Sequence, residues 1–301
     1  MRIRLLLAVI VLSLSLAACG DDDFTPPSFL HLDGITTYIP TTGALSADSG
    51  FYRSDIVAAY VVAHYPGASK VDTLGLYRLP FTIPVLYSGA VDYINIYPAI
   101  EQSGISGALP FYTFYNPIQH KGVSLTSGDT LNLGLDSTTY NSLTDAPHLF
   151  EPFELPTDTI RLTPPLEWKR SDPAGACTGL GYGLLHVDAS ESVVDFSIED
   201  IFYIPDPTKI VYLELDVRSD LPLQVYMKAS YYENSSDDLV SVMTINPISH
   251  WQHLYINLGR TWSYFNHPST FRLQFRAVNE NGLGGDISLD NVKLLTTSVA
   301  L

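Results

Sequence analysis

Cysteine is nearly absent from this chain: 2 of its 301 residues, Cys19 and Cys177. No disulfide framework therefore holds the fold together, whatever the compartment. Basic residues are scarce too, with 16 Lys and Arg against 32 Asp and Glu and a formal net charge of −16. No stripe of Lys and Arg is available to phosphates, which excludes nucleic acid as a partner. After the N-terminus no apolar run is long enough to cross a membrane as a helix. The Gly-x-Ser-x-Gly, His-Glu-x-x-His and Ser-x-x-Lys signatures are all missing, and no amphipathic helix pattern exceeds a turn or two.

Against these absences stand 19 Tyr, 13 Phe, 20 Gly and 20 Pro, a composition of strands punctuated by turns. The N-terminus has its own pattern. Arg2 and Arg4 precede an apolar run over 5–16, broken only by Ser13 and Ser15, and then comes Leu16-Ala17-Ala18-Cys19-Gly20. The run is short for a membrane span and ends in the small residues of a cleavage site. Cys placed directly after Leu-Ala-Ala resembles the lipobox of bacterial lipoproteins. The resemblance implies a signal peptide over 1–18 and a Cys19 that carries diacylglycerol and a further acyl chain such as palmitate. Two or three acyl chains suffice for stable anchoring. Loss of Arg2 and Arg4 takes the net charge from −16 to −18. With Cys19 acylated, Cys177 has no intrachain partner and reads as a small core or loop residue.

Residues 19–28 form a linker of three aspartates, Asp21 to Asp23, and two prolines, Pro26 and Pro27, an extended and solvated spacer. An acidic run just after the lipidated cysteine resembles the surface-export signal of Bacteroidota lipoproteins. In enteric bacteria an aspartate there would instead imply inner-membrane retention. The expected location is the cell envelope, as an outer-membrane lipoprotein exposed at the surface.

Residues 29–139 carry about seven short strand signals. They include 56–65, closed by Pro66-Gly67, and 91–97 with clear period-2 alternation. Pro80 and Pro84 make 81–86 an edge strand or a bulged crossing. Residues 123–125 and 130–133 read as a closing hairpin around Ser127-Gly128-Asp129. This rhythm predicts an immunoglobulin-like sandwich. Residues 140–173, rich in proline and acids, read as a junction. Eight further runs, at 182–187, 195–198, 210–218, 223–232, 239–245, 252–258, 271–278 and 287–294, predict a second sandwich over 174–297, of jelly-roll or immunoglobulin-like type. The chain is thus expected to be all-β.

The stretch Leu76-Tyr77-Arg78-Leu79-Pro80-Phe81-Thr82-Ile83-Pro84-Val85-Leu86, with Gly89, residues 94–100 and Gly104-Ile105-Ser106, resembles an uncharacterised Bacteroidota envelope lipoprotein family. Trp251, Tyr255-Ile256-Asn257-Leu258 and residues 287–294 resemble the closing strands of carbohydrate-binding, galactose-binding-like jelly rolls. That resemblance implies a jelly roll for the second sandwich. Jelly rolls of this kind often hold a structural Ca²⁺ between first and last strands, which points to Glu154 and Asp290 as its oxygen ligands. The alternative is that both are solvated acids, with no cofactor.

The candidate chemistry is otherwise sparse. Gly179-Leu180-Gly181-Tyr182-Gly183 is not followed by a helix that would offer amides to phosphate, so it reads as a flexible strand entry. His250 and His253 fall on opposite faces of a strand, poor geometry for one metal. Acids such as Glu191, Asp195, Glu199 and Asp200 could form a glycosidase pair only by facing each other in a cleft. Exposed rings stack on sugar faces. Trp251 precedes an alternating strand and is expected in the core. Trp262, between Gly259-Arg260-Thr261 and Asn266-His267-Pro268, sits in a loop-like context with Tyr264 as its neighbour. These two are the candidate ligand-binding residues, in the domain distal to the tether. The expected function is non-enzymatic binding or adhesion, with a glycan or another surface protein as ligand. The alternatives are a glycan-processing hydrolase and a structural subunit of an envelope complex.

Overall fold

The computed structural model describes residues 25–156, 160–170, 175–202, 210–231, 237–262, 264–265 and 270–297. Cys19 and the signal region lie outside them. Among the described residues the structure is all-β, with one 3-10 turn at Ser49–Tyr52 and one four-residue helix, α1 (Gly259–Trp262).

The first module holds β1 (Ser28–Leu32), β2 (Gly34–Thr37), β3 (Ala58–His64), β4 (Asp72–Arg78), β5 (Phe81–Val85), β6 (Gly89–Ala99), β7 (Ile118–Leu125), β8 (Thr130–Asn132) and β9 (Leu135–Thr138). A sheet in the order β4-β3-β6-β7 shares one core with the three-stranded sheet β5-β1-β8. Leu30, Leu32, Ile83 and Val85 alternate inward from one sheet, and Val61, Ile94 and Ile96 from the other. Pro80 precedes β5 and Pro84 lies within it, and the strand runs at a sheet edge, where a missing ladder donor costs nothing.

The expected hairpin over 123–133 does not form. Its first strand, β7, pairs with β6, whereas β8 crosses to the other sheet and runs parallel to β1. The turn at 126–129 changes sheets instead of reversing the chain within one. Next to it β2 and β9 also pair in parallel.

The second module holds β10 (Leu149–Glu151), β11 (Leu162–Thr163), β12 (Glu167–Arg170), β13 (Gly181–Val187), β14 (Val193–Phe202), β15 (Val211–Ser219), β16 (Leu223–Ser230), β17 (Asp238–Ile245), β18 (Ile248–Asn257), β19 (Thr270–Val278) and β20 (Gly285–Thr296). All its pairings are antiparallel. The front sheet runs β12-β13-β20-β15-β18, with β10 also on β20, and the back sheet runs β11-β14-β19-β16-β17. One apolar core, with Leu213, Val217, Leu289, Phe196, Val225 and Phe275 among its members, fills the space between them. Residues 140–173, read above as a junction, contribute three short strands, β10, β11 and β12, to this module. They are two to four residues long, too short for a periodic signal.

Glycines let β12 and β10 close against β13. A Cβ on Gly183 would lie 2.5 Å from the Phe153 ring, and one on Gly181 would lie 2.5 Å from Trp168 Nε1. The glycine-rich run is therefore a packing surface for two aromatic rings.

Strands β15 and β20 are buried on both faces. In β15 the odd positions Val211, Leu213, Leu215 and Val217 enter the second module's core. The even positions Tyr212, Glu214 and Asp216 meet the first module. Phe51, Tyr52, Ile100, Tyr112, Phe114, Tyr115 and Tyr140 pack there against Tyr212, Tyr255 and Leu295 as a third core. The first module thus caps half of the front sheet's outer face.

Candidate functional site

The capped half of the front sheet is an ion cluster. Lys293 Nζ lies 2.8 Å from Glu214 Oε2, both side chains fully buried. Tyr140 donates to the same carboxylate at 2.9 Å, and Tyr112 donates to its other oxygen. Lys293 also donates to the Phe51 carbonyl and stands over the Phe51 and Tyr140 rings. His253 Nδ1 meets Asp216 at 3.1 Å, while its Nε2 lies 3.4 Å from Glu214 without the alignment of a hydrogen bond. Arg53 reaches down from the first module to Asp216 at 2.7 Å.

Burial alone would raise the Glu214 carboxyl, but Lys293 and His253 outweigh it and hold it at about 2. Burial would likewise raise Asp216, which His253 and Arg53 drive below the usual range. Burial opposes charge on His253, yet Asp216 and Glu214 raise its pKa. Each carboxylate faces a cation, Glu214 facing Lys293 and Asp216 facing Arg53, and the cluster is a structural joint between modules.

A bulge in β20 at Asn291, which has φ 49°, shifts the register against β15 and turns Asp290 and Asn291 toward the first module. Both Asp290 oxygens accept backbone N–H groups, from Asn291 at 2.8 Å and Thr178 at 3.1 Å. Burial, with Asp216 and Glu154 nearby, raises Asp290 to about 8. Glu154 accepts from the Leu180 amide at 2.9 Å and is itself raised by partial burial and by Asp48. The two residues share one negative neighbourhood. Among the described residues no group of three His, Cys, Asp or Glu side chains assembles there or elsewhere to hold a metal ion.

The other half of the front sheet is open. Here Tyr182 from β13, Ser288 from β20, Arg218 from β15 and Trp251 from β18 stand side by side on the outer face. The Arg218 guanidinium lies 5.1 Å from the Trp251 ring centre and 5.7 Å from that of Tyr182, and the two rings meet edge to face at 5.8 Å. Trp251 is fixed by an Nε1 hydrogen bond to the Gly175 carbonyl at 3.0 Å. Beside them lies a cleft of about 280 Å³ lined by Tyr182, Leu184, Arg218, Asp220, Ser249, Asp286 and Ser288. Asp286 bonds His186 at 2.7 Å, and Asp220 accepts the Asp286 amide at 3.1 Å. Both residues line the cleft.

Trp251 is half-buried and faces outward, not into the core, because odd positions of β18 point away from Leu254 and Ile256. His253, on the same face, is buried under the first module and not at the surface. Trp262 ends α1 and is partly buried, its ring 4.4 Å from that of Phe271. Tyr264 is 77% exposed. Asn266, His267 and Pro268 lie outside the described residues. Sequence reading missed Tyr182 and Arg218. The available signal was that both occupy outward positions on strands whose neighbours, Gly183 and Val217, face inward.

No protein-family model matches this chain, and no curated protein does. Solved structures do. The family 30 carbohydrate-binding module of a Clostridium thermocellum cellulosomal cellulase is 15% identical, with TM-score 0.34, over 42% of this chain and 80% of its own. The family 11 carbohydrate-binding module of Clostridium thermocellum, in complex with a β-1,3-1,4-mixed-linked tetrasaccharide, is 13% identical, with TM-score 0.31, over 46% and 84%. A structure described under the promiscuous specificity of carbohydrate-binding modules from the β-sandwich superfamily is 11% identical, with TM-score 0.37, over 89% and 98%. These three solved structures are carbohydrate-binding modules.

Proposed function

We propose that this chain is a lipid-anchored envelope protein that binds a glycan on the open half of the front sheet and catalyses no reaction. The observation that carries the reading is the Tyr182–Arg218–Trp251 row. Two rings on rigid strands offer faces to a sugar ring. Arg218 is oriented by cation–π contact, and Asp220, Asp286 and Ser249 add hydrogen-bonding groups around a cleft of monosaccharide scale. Glycoside hydrolysis needs two carboxylates flanking the scissile bond. Asp286 is engaged by His186 and Asp220 by the Asp286 amide, which favours a binding role over the rival hydrolase. Tyr264 is a second exposed ring, and with Trp262 it forms a minor candidate contact. In this reading the first module is immunoglobulin-like and the second a jelly roll, and Cys19 holds the chain in the outer membrane at the cell surface.

A structural Ca²⁺ at Glu154 and Asp290 belongs to the same proposal. Glu154 and Asp290 offer the hard oxygen ligands that such an ion takes. Because Asp290 is protonated at neutral pH, binding would release a proton, and added Ca²⁺ should raise the thermal midpoint more at pH 9 than at pH 6. No shift at either pH would remove the ion from the account.

A glycan array probed with the soluble chain from Ser28 onward tests the main reading. Retention of a defined set of glycans supports it. Turnover of any of them, lost in Asp220→Asn or Asp286→Asn, would favour the hydrolase. Capture of a surface protein with no glycan bound would favour a protein ligand in place of a glycan.

A further inference from the structure

The chain enters the first module at the end opposite the second. Strand β6 spans that module, from Gly89, paired with Leu125, to Ala99, next to Ile100 in the shared core. At the Gly89 end the entering strand is clamped by neighbouring turns. Ser127 Oγ donates to the Pro26 carbonyl at 2.6 Å, the Gly128 amide to the Pro27 carbonyl at 3.1 Å, and Ser28 Oγ to the Tyr87 carbonyl at 2.8 Å. Pro26 is therefore fixed beside the β5–β6 turn at 86–88.

That turn carries Leu86, which is 93% exposed, more than any other large apolar side chain described. Next to it Tyr87 stacks on Tyr65 at 4.0 Å, and Tyr65 opens the β3–β4 turn at Pro66-Gly67. Val71, further along the same connection, is exposed as well. Leu86, Val71 and the tyrosine pair thus form an apolar and aromatic tip around the chain's entry point. Asp72 and Asp129 flank it, and the exposed Lys70 adjoins Val71.

We infer that this tip rests in the interfacial layer of the membrane that holds Cys19, with Leu86 as the inserted side chain. The inference rests on the lipid-anchor reading. Only five residues, 20–24, separate Cys19 from Thr25, and a fully extended segment of that length spans roughly 20 Å. The tip is thereby confined near the lipid headgroups. Tyrosine and leucine suit that layer, where a ring's polar end stays wet and an aliphatic side chain reaches the acyl region. Asp72, Asp129 and the three arm aspartates outnumber Lys70, so the fitting surface is zwitterionic and not anionic. The second module, with its open sheet half, then points away from the membrane.

The test uses the full acylated chain in a Cys177→Ser background, with Leu86→Cys carrying an environment-sensitive fluorophore. A parallel Leu283→Cys variant places the label on a 78% exposed side chain in the β19–β20 turn. Both are reconstituted into phosphatidylcholine–phosphatidylethanolamine vesicles containing a doxyl-labelled lipid, and mass spectrometry reads the Cys19 acylation. The expected result is loss of fluorescence at position 86, none at 283, and a smaller loss at 86 in phosphatidylglycerol vesicles. An acylated chain whose position 86 stays as bright as position 283 overturns the tip and leaves the anchor standing. A chain found unacylated at Cys19 overturns the anchor and the tip with it.

Discussion

Glu214 and Lys293 face each other across neighbouring strands of one sheet, 2.8 Å apart and fully buried, beneath the first module, which supplies the tyrosine hydroxyls completing their hydrogen bonds. The contact between modules thus encloses charge beside its aromatic core. Removing either partner leaves the other buried without its counter-charge, at a cost of about 3–5 kcal/mol. Lys293→Met and Glu214→Leu should each lower the urea midpoint strongly. The double variant should lose clearly less than the two losses added together. Additive losses in a double-mutant cycle would mean that the two groups do not depend on each other.

The titrating groups give a stability profile with two limbs. Glu214 and Asp216 have folded pKa values below their ordinary 4.5 and 3.8, so their contribution is present above those values and lost as pH falls toward 2. Asp290 works in the opposite sense. Raised from 3.8 to about 8, it is protonated when folded and ionised when unfolded, so stability declines as pH rises between those values. His253, raised above 6.5, adds to that decline as pH passes its folded pKa. Thermal midpoints from pH 3 to pH 9 should peak on the acid side of neutrality, and Asp290→Asn should flatten the alkaline limb. A midpoint that climbs steadily from pH 4 to pH 8 would contradict the assignment.

Gly183→Ala brings a methyl group within 2.5 Å of the Phe153 ring and should cost about 1–3 kcal/mol. Gly107→Ala, with open space around its Cβ, is the matched control and should change the denaturation midpoint little.

Cys19→Ala should move the protein from the membrane fraction to the soluble one without altering its circular dichroism. Persistent membrane fractionation would remove the lipid anchor from the account.

Alternation along the strands made much of the fold legible. All eight runs read in the second module are strands, and Val211-Tyr212-Leu213-Glu214-Leu215-Asp216-Val217 shows its two faces in the sequence itself. Alternation tells which residues share a face, not what covers it. The Glu214–Asp216 face therefore looked no different from a solvent-facing one, and Trp251 was assigned to the core although it lies on that outer face beyond the first module's edge. Pairing partners far apart in sequence were equally hidden, as with β8 crossing to β1, and two- or three-residue strands such as β10 and β11 leave no period to detect. Of the candidate site, the rings were visible as residues. The row of Tyr182, Arg218 and Trp251 exists only through the strand order β13-β20-β15-β18.

The central claim is that the open half of the front sheet binds a glycan, and paired variants measured by calorimetry against the best array glycan test it most directly. Trp251→Ala and Arg218→Ala should each weaken binding tenfold or more, roughly the loss of one good stacking or charged contact of about 1.4 kcal/mol, while Trp262→Ala and Tyr264→Ala should change it far less. Unchanged affinity in the Trp251 and Arg218 variants, with loss in those at Trp262 or Tyr264, would contradict the account and move the site to the end of α1.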